Sequence, residues 1–593
     1  MLKYECFQHL NMRNKTNCKN TINYQSFFAP FFYFRIITGT IFLSRVRMKK
    51  FLFLAYACLL LAACKTDAEQ EQENQEKKEE KQKKNVSKRD YSIVKTVSYS
   101  DLFLDSNAVE NYLSGMKISD TFSRRVRSFY NTRNYQFAWF SGDGLTEQAF
   151  GFWNLLDHYT TYSDDTTLTD KGLKRRIDNL MMEENLTISA SNKSNINTEL
   201  QLTILFLKYS LKTFDKGFVK RKELERFIPR KKQDALYLAD SLLTKKHKNN
   251  KYFEDINEPY RKLKEQLTKY TDIVRKGGWP AISITGKKIL KEGSSSPDIA
   301  AIKKQLYLTG DLSVSDTSQL FNDTLATGIK NFQERYGLQG TGTINTETIK
   351  ELKVSAKNRV EQLLINLERM RWMPSQPEGK LILVNIPEFV LHVMENGKKA
   401  FDMKIVVGKE GHNTMMFTKT LNQVVFSPYW NVPPSIVKDE LLPEIAKDPG
   451  YLEKQNMEIT GETDGLPEIR QLPGEKNALG KVKFLFPNSY NIYFHDTPSK
   501  SLFEKNRRAY SHGCIRLSEP EKMAQYLLQN DGAWDEMKIM EAMNAEKERF
   551  VKLKEPVEVF ITYYTAWVDE SGKLNFREDI YKHDQKIRSK MFL

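Results

Sequence analysis

The sequence is poor in cysteine. Its 593 residues include only five, and four of them (Cys6, Cys18, Cys58 and Cys64) lie in the first 64 positions. The fifth, Cys514, has no partner cysteine after position 64, which excludes an internal disulfide from that part of the chain. A single unpaired cysteine in an exported protein favours a reactive thiol.

Concentrated basic tracts are also lacking. The formal net charge is +16, but residues 1–47 hold seven Lys or Arg and one acid, and the remaining charge is dispersed. No nucleic-acid partner is therefore predicted, whereas a polyanionic wall polymer or a membrane surface is compatible with this charge. An apolar stretch at residues 27–43 is broken by Pro30 and Arg35, which makes it a poor membrane-spanning helix.

An export signal is present at residues 48–64. Met48 precedes two lysines and an apolar run, residues 51–63, which ends in Leu-Ala-Ala before Cys64. This order is typical of a bacterial lipoprotein signal, whose cleavage leaves a lipidated N-terminal cysteine. Residues 1–47 are then interpreted as upstream read-through, with a first membrane segment as the alternative.

Three regions follow this signal. Residues 65–92 are rich in Glu, Gln, Lys and Asn and cannot bury enough apolar surface to fold, so they are predicted to be a disordered tether, with a charged helix as the alternative. Residues 93–293 have helical spacing and are interpreted as a helical scaffold domain. Residues 297–353 show a three-helix pattern similar to the small peptidoglycan-binding module of wall enzymes, the alternative being a generic helical linker domain.

The pattern changes to β-strands from Lys380 onward, within a mostly-β domain assigned to residues 358–565. Short apolar runs occupy residues 380–386 and 401–407, and Asn396 with Gly397 predicts a hairpin turn.

The strand pattern stops within residues 433–473. This segment is predicted to be an insertion of helix and loop, and long insertions in compact domains are usually lids or binding loops. Residues 566–593 are assigned as a C-terminal extension. The predicted fold class is therefore multidomain α+β: a helical scaffold, a small three-helix module and a mostly-β catalytic domain with a capping insertion.

The single thiol lies in the run Ser511–Arg516 (Ser-His-Gly-Cys-Ile-Arg). His495 stands at the end of a predicted strand nineteen positions before the thiol, and His512 stands two positions before it. A cysteine nucleophile needs a base or a lowered pKa, and the oxyanion that it creates needs donors. Gly513 would let nearby amides converge, and Arg516 could favour the thiolate. Each residue alone is weak support for a catalytic site, because a lone histidine is usually structural and a buried cysteine is usually inert.

Together these residues resemble the signature of the L,D-transpeptidases, the YkuD-fold enzymes. A wider pattern is similar to the large YcbB-like branch, and it occupies residues 428–434, 477–480, 483–488 and 493–498. That branch carries a helical scaffold, a peptidoglycan-binding module and a substrate-capping insertion, each with a counterpart here. The resemblance covers about residues 95–565. In one departure, Thr-Met-Met stands at 414–416, where family members often have Thr-Pro, and this difference is not expected to affect the chemistry.

The resemblance implies roles for individual residues. Cys514 would be the nucleophile and His495 the base. The further catalytic positions, as oxyanion-hole or substrate-orienting groups, would be His512, Gly513 and Arg516. The substrate-binding positions would be Tyr493, Ser511, Trp430 and Asn431, although aromatic packing is an equal alternative for Tyr493.

The implied activity joins peptidoglycan stem peptides through a cysteine thioester and makes 3→3 crosslinks. The resemblance implies no metal and no cofactor. The acyl acceptor stays open among a second stem, a free D-amino acid, a lipoprotein lysine and water. The expected location is the periplasm, with a lipid anchor at Cys64, and Lys65 in place of an aspartate favours the outer membrane.

Other protein classes fit the residues less well. Papain-like wall peptidases and hydrolases place cysteine before histidine, and sortases lack the His-Gly before their cysteine. A non-catalytic wall-binding lipoprotein would not need Cys514, His495 and Arg516 intact. A metal site made of His495, His512 and Cys514 has no further ligand cluster to support it.

Overall fold

The computed structural model describes residues 86–163, 165–183, 186–214, 228–244, 257–284 and 289–593. The predicted signal, Cys64 and most of the tether lie outside these residues. The described residues belong to one compact unit. None of the described helices is long and apolar enough to cross a membrane.

The first part of the described chain is helical. Its helices are α1 (Ser106–Ser114), α2 (Asp120–Asn131), α3 (Glu147–Tyr162), α4 (Lys171–Met182), α5 (Lys193–Phe214), α6 (Ala235–Leu243) and α7 (Glu258–Arg275). A two-stranded hairpin, β1 (Phe140–Ser141) and β2 (Gly144–Leu145), lies between α2 and α3. Several helices begin where a side chain accepts a hydrogen bond from the first turn, as Ser119, Thr146 and Asp170 do.

An aromatic core holds this region together. Phe129, Tyr130 and Trp139 are almost completely buried. Glu199 on α5 is also buried, and its carboxylate accepts the backbone N–H groups of Ala138 at 2.7 Å and Trp139 at 3.0 Å. Burial raises the pKa of Glu199 to about 7. The carboxylate therefore ties α5 to the segment that leads into β1.

A module of three helices follows: α8 (Pro297–Thr309), α9 (Asp323–Arg335) and α10 (Thr346–Leu352). Each begins after a capping side chain, supplied by Ser296, Asn322 and Asn345 respectively. The long helix α11 (Ala356–Arg371) then leads into the β-rich domain, and most of its residues are buried.

Nine strands of the β-rich domain form one sheet. They are β3 (Lys380–Asn385), β4 (Val390–Glu395), β5 (Lys398–Gly408), β6 (Phe417–Phe426), β10 (Val482–Leu485), β11 (Phe494–His495), β12 (Ala509–Ser511), β13 (Ile515–Leu517) and β14 (Arg549–Thr562). The order is β12-β5-β13-β11-β10-β6-β14-β3-β4, and β4 also pairs with β5, so the sheet closes on itself. Alternate strand residues such as Ile382, Val384 and Ile405 fill its core.

The predicted hairpin turn is confirmed. Asn396 (φ 50°) and Gly397 (φ 74°) both have positive φ, and they join β4 to β5 through the pair Glu395 and Lys398. This is the geometry that Asn-Gly favours between antiparallel strands. Two helices, α15 (Pro520–Leu528) and α16 (Glu536–Met543), pack apolar side chains into the core of the sheet.

The prediction that the insertion is helix and loop is wrong for its second half. The first half is helical, with α12 (Pro434–Ile436), a π-turn (Val437–Leu441), α13 (Leu442–Lys447) and α14 (Tyr451–Lys454). The second half is a hairpin of β8 (Met457–Thr463) and β9 (Leu466–Gln471), which extends the short strand β7 (Trp430–Asn431) into a separate sheet.

The missed hairpin has a physical explanation. Strand β8 is polar and mostly accessible, because it lacks a buried face, so the sequence shows no apolar alternation there. Its turn residues Asp464 and Gly465 have φ of 51° and 76°. Asp464 and Gly465 thus form the kind of tight turn that joins two antiparallel strands.

The last segment folds back onto the helical part of the chain. It contains β15 (Ala566–Val568), β16 (Leu574–Phe576) and α17 (His583–Met591). Asp584 accepts a hydrogen bond from Arg369 of α11 at 2.5 Å, and Phe576 stacks on Tyr336 at 5.2 Å between ring centroids. Short 3₁₀ turns lie at Thr166–Leu168, Ile386–Glu388 and Lys500–Glu504.

Candidate active site

Two parallel strands bring the predicted catalytic side chains to one face of the sheet. Strand β11 pairs with β13 in the register Phe494 to Ile515 and His495 to Arg516. Phe494 and Ile515 point into the core and are fully buried. Because successive strand residues face opposite sides, His495 and Arg516 share the other face with Cys514, the residue before Ile515.

The His495 side chain is held in one tautomer. Its Nδ1 lies 2.5 Å from the carbonyl oxygen of Asp496. A carbonyl can only accept a hydrogen bond, so Nδ1 carries the proton and Nε2 keeps its lone pair. Burial lowers the pKa of His495 to about 3, and the charges of Arg516 and Lys483 act in the same direction. The imidazole is therefore neutral near pH 7 and able to accept a proton at Nε2.

The Cys514 thiol is protonated at rest. Its sulfur lies 3.5 Å from the carbonyl oxygen of Asn491, to which the S–H donates. Burial raises the pKa of the Cys514 thiol to about 11, while hydrogen bonding from Tyr493 and the charge of Arg516 oppose this rise. Burial also raises the pKa of Tyr493 well above its usual range, so its hydroxyl keeps its proton beside the sulfur.

The loop before the thiol is braced from within. The Ser511 hydroxyl donates to the Cys514 carbonyl oxygen at 2.5 Å and accepts the Gly513 N–H at 3.2 Å. Gly513 has φ of +111°, in the region that favours glycine. The Gly513 amide is therefore occupied, whereas the described hydrogen bonds include none from the Cys514 amide.

His512 points toward the insertion. It is exposed, and its Nε2 lies 2.8 Å from the Glu440 carboxylate in the π-turn. Its ring also contacts His412, with 4.8 Å between the ring centroids. Partial burial of its ring lowers the pKa of His512, and the Glu440 carboxylate opposes this shift. One side chain of the insertion thus reaches the residue two positions before the thiol.

A cleft of about 690 Å³ opens beside the thiol. Three parts of the chain line it. Its walls include Glu147, Phe150 and Met181 from the N-terminal helices, His412, Thr414, Asn491 and Cys514 from the β-rich domain, and Tyr581, His583, Lys586 and Lys590 from the last segment. A volume of this size can hold a small peptide segment.

Not every predicted site residue lies on this cleft. Of those predicted, Cys514, Gly513 and His512 are among its described lining. Trp430 and Asn431 form β7 in the sheet of the insertion, where Trp430 packs on the insertion's small core and Asn431 is exposed.

Several lining residues were missed by sequence reasoning. His412, Thr414 and Asn491 lie in loops, and Tyr581 lies in a segment beyond the recognised motifs. The only signal was the departure from the family pattern at residues 414–416, which was not expected to affect the chemistry.

Within the part of the chain that the structure describes, no group of three or more His, Cys, Asp or Glu side chains is arranged to hold a metal ion.

Comparison with known proteins gives three domain matches. Residues 379–559 match the family model of the L,D-transpeptidase catalytic domain, and residues 124–267 match that of a scaffold domain. Residues 295–352 match a model described as "Putative peptidoglycan binding domain".

A protein of Haemophilus influenzae, described as "Putative L,D-transpeptidase", is 30% identical over 271 residues. The match covers 42% of this chain and 54% of the relative, so the chain spans about half the length of the curated relative that it matches.

Two solved structures are similar at low identity. The L,D-transpeptidase (Yku) from Stackebrandtia nassauensis is 14% identical, with a TM-score of 0.21, over 48% of this chain and 97% of that one. The L,D-transpeptidase from Mycobacterium smegmatis is 15% identical, with a TM-score of 0.18, over 31% of this chain and 58% of that one. From the domain matches, the chain contains a catalytic domain of the L,D-transpeptidase family at residues 379–559, together with a scaffold domain and a peptidoglycan-binding domain.

Proposed function

We propose that this protein is a peptidoglycan L,D-transpeptidase that uses Cys514 as its nucleophile and makes 3→3 crosslinks between stem peptides. The observation that carries this proposal is the β11–β13 register, which sets His495, Cys514 and Arg516 on one face. The peptidoglycan-binding domain at residues 295–352 supports peptidoglycan as the substrate.

In the first half-reaction, Cys514 attacks the carbonyl of the third stem residue. His495 takes the thiol proton at Nε2 as the C–S bond forms. The amide of Cys514 is a candidate donor to the resulting oxyanion. When the tetrahedral species collapses, the C–N bond to the fourth residue breaks, and His495 returns the proton to the departing amine. A thioester on Cys514 remains.

The two pKa values determine how the proton moves. Because the pKa of the Cys514 thiol is about 11 and the pKa of the His495 imidazole is about 3, a thiolate–imidazolium pair is not populated in the resting enzyme. Proton transfer must therefore accompany attack, when sulfur loses electron density to the new bond. The neutral resting pair also protects the thiol from unspecific reaction.

In the second half-reaction, an amine of a neighbouring stem attacks the thioester carbonyl. Neutral His495 takes the amine proton, the C–S bond breaks, and the proton returns to sulfur. The products are a new amide between two third-position residues and the free thiol.

Mass spectrometry of tetrapeptide-containing wall fragments, incubated with the full chain, tests this proposal. A dimer joined between two third residues, with one D-amino acid released per crosslink, is the expected product. Tripeptide stems alone would identify water as the acceptor and an L,D-carboxypeptidase instead. Unchanged fragments would refute both activities.

A strained β-lactam should acylate the thiol. Because its carbonyl resembles the scissile bond next to a D-residue, we expect a β-lactam to leave a covalent adduct on Cys514. The resemblance to the L,D-transpeptidases implies that carbapenems do so faster than penicillins. Intact-mass and peptide mass analysis of the full chain will locate the adduct. The absence of any adduct on the Cys514 peptide with both classes would contradict the proposed mimicry of substrate.

The insertion is proposed to cover the bound stem peptide, and Glu440 offers a direct test. Glu440→Gln removes the carboxylate that accepts a hydrogen bond from His512 Nε2, so we expect KM for wall fragments to rise about two- to five-fold, the scale of one partly exposed hydrogen bond. The value of kcat should stay near the parental value. Steady-state release of the D-amino acid measures both constants.

Glu444→Gln is the matched control, because Glu444 lies on the next helix of the same insertion and pairs with Lys447 at 2.6 Å. A larger change joins Pro433 to Pro473 by a short Gly/Ser linker, which removes β8 and β9 but no strand of the nine-stranded sheet. If that variant folds and crosslinks at the parental rate, the insertion is not a substrate lid.

We further propose that the protein is a periplasmic lipoprotein, anchored through Cys64 to the outer membrane. This rests on the Lys-Lys, apolar run and Leu-Ala-Ala-Cys order of residues 49–64. Intact-mass analysis of the membrane fraction should find a chain that begins at acylated Cys64. A mature chain that retains residues 1–47 would contradict the anchor.

A further inference from the structure

We propose that Tyr581 is a positioning residue for Cys514, so that the last segment of the chain completes the active site. Tyr581 lies beyond the matched catalytic domain, which ends at residue 559. Its effect on turnover rests on the proposed function, but its effect on the position of the thiol does not.

The Tyr581 hydroxyl joins the two ends of the loop at residues 408–414. It donates a hydrogen bond to the Gly408 carbonyl oxygen at 2.6 Å. It also accepts the backbone N–H of Thr414 at 3.3 Å. A tyrosine hydroxyl has one donor and two acceptor positions, so both bonds form at once. Phenylalanine in this place would leave a buried donor and a buried acceptor without their partner.

The same loop holds the residue before the thiol. The Thr414 hydroxyl donates to the Gly513 carbonyl oxygen at 2.7 Å and accepts the Gly408 N–H at 2.9 Å. The Lys409 N–H donates to the Ser511 carbonyl oxygen at 2.9 Å. A continuous set of hydrogen bonds therefore leads from Tyr581 through Thr414 to Gly513.

Close packing makes this connection stiff. A Cβ atom on Gly408 would lie 2.0 Å from the His412 carbonyl oxygen and 3.1 Å from the Gly513 Cα. The loop and the thiol-bearing segment are thus in direct backbone contact. Because Gly408 and Thr414 both contact Gly513 directly, we expect a shift of either residue to displace Gly513. Misplacement of a reacting group by about 1 Å can cost on the order of 100-fold in rate.

Tyr581 is itself held in place by its own segment. It is 7% exposed, and its ring stacks on Tyr563 with 5.6 Å between the centroids. Its N–H donates to the Tyr563 hydroxyl at 2.9 Å, and that hydroxyl donates to Asp579 at 2.7 Å. The hydroxyl of Tyr581 therefore reaches the loop from a pre-organised side chain.

The kinetic test compares Tyr581→Phe with Tyr526→Phe in the full chain. Tyr526 is the matched control, because its hydroxyl donates to Glu395 at 2.9 Å and it is not among the described residues of the cleft. We expect kcat for D-amino-acid release to fall about 10- to 100-fold in Tyr581→Phe, with KM within about two-fold of the parental value. Tyr526→Phe should keep the parental kcat.

Thr414 provides the second arm of this test. Thr414→Val should lower kcat to a similar extent, whereas Thr414→Ser, which keeps the hydroxyl, should retain a kcat near the parental value. The two hydroxyls act through the same set of hydrogen bonds. The fold-decrease in kcat of the double variant Tyr581→Phe/Thr414→Val should therefore be much smaller than the product of the fold-decreases of the two single variants.

A readout that needs no turnover is the pH profile of Cys514 alkylation by iodoacetamide, followed by mass spectrometry of the Cys514 peptide. Tyr581→Phe should change the rate of Cys514 alkylation at a given pH by at least about three-fold and should shift the pH profile of that rate. Tyr526→Phe should have the parental alkylation rate and profile. Parental kcat together with a parental profile in Tyr581→Phe would overturn the proposal, as would equal effects of both variants. If the parent makes no crosslink but the profile shifts only in Tyr581→Phe, the proposed function fails and the positioning role stands.

Discussion

Replacement of Cys514 by alanine is expected to abolish crosslinking of wall fragments completely. The described part of the chain holds no other free cysteine, and the proposed acyl group has no other attachment point. Covalent catalysis is lost with its nucleophile, whatever remains of substrate binding. The measurement is mass spectrometry of muropeptides after prolonged incubation with the variant.

The fold should survive this change. The sulfur makes one described hydrogen bond, a long one of 3.5 Å to Asn491, and the site opens to a cleft. We therefore expect the free energy of unfolding to change by no more than about 1 kcal/mol. Cys514→Ser is the companion variant, because it preserves the volume but supplies a poorer nucleophile. Retained crosslinking by a folded alanine variant would exclude Cys514 as the nucleophile.

His495→Gln should reduce kcat by about 10²- to 10⁴-fold, the usual contribution of a general base. A glutamine amide can still donate to the Asp496 carbonyl oxygen, as Nδ1 does now, but it offers no lone pair that takes a proton. Assays of D-amino-acid release, either stopped at fixed times or followed at steady state, will measure the decrease in kcat. His158→Gln is the control, because His158 lies on α3 and faces Glu558 at 3.4 Å. A variant that kept parental kcat would show that another group takes the thiol proton.

The same variant should change the response of stability to acid. The pKa of His495 is about 3 in the folded protein and about 6.5 in an unfolded chain, so protons bind the unfolded state preferentially between these values. The stability that neutral His495 contributes is thus complete above pH 6.5 and is lost as the pH falls. At pH 4 the loss is roughly 3 kcal/mol. Thermal unfolding between pH 7 and pH 4 should therefore be less acid-sensitive in His495→Gln than in the parent.

Local patterns in the sequence were sufficient for the strands and turns that are regular. Asn396 and Gly397 required a tight turn because their backbone tolerates positive φ, and the pairing of β4 with β5 agrees. The polar hairpin at residues 457–471 could not be read in the same way. Alternation marks a strand only where one face is buried, and this hairpin buries little.

The motif around the thiol predicted which residues gather, but not what surrounds them. Cys514 and His495 were identified from residue types and spacing, and the β11–β13 register brings them to one face. Ser511 was expected at the substrate, yet its hydroxyl is buried between Cys514 and Gly513. Residue type alone does not tell whether a hydroxyl faces a ligand or its own backbone, because both uses satisfy its hydrogen bonds.

By itself, the sequence determined the order of the regions, the helical and strand-rich parts, and the thiol with its neighbouring histidines. Each of these depends on near neighbours in the chain, through turn chemistry, periodicity and a compact motif. The tertiary structure alone decided that Glu440 meets His512, that N-terminal helices line the cleft, and that Tyr581 reaches Gly408 and Thr414. These contacts join positions from about 70 to several hundred residues apart. They arise because closed sheets and packed helices bury surfaces against one another, and no local pattern records which distant partner will complete a surface.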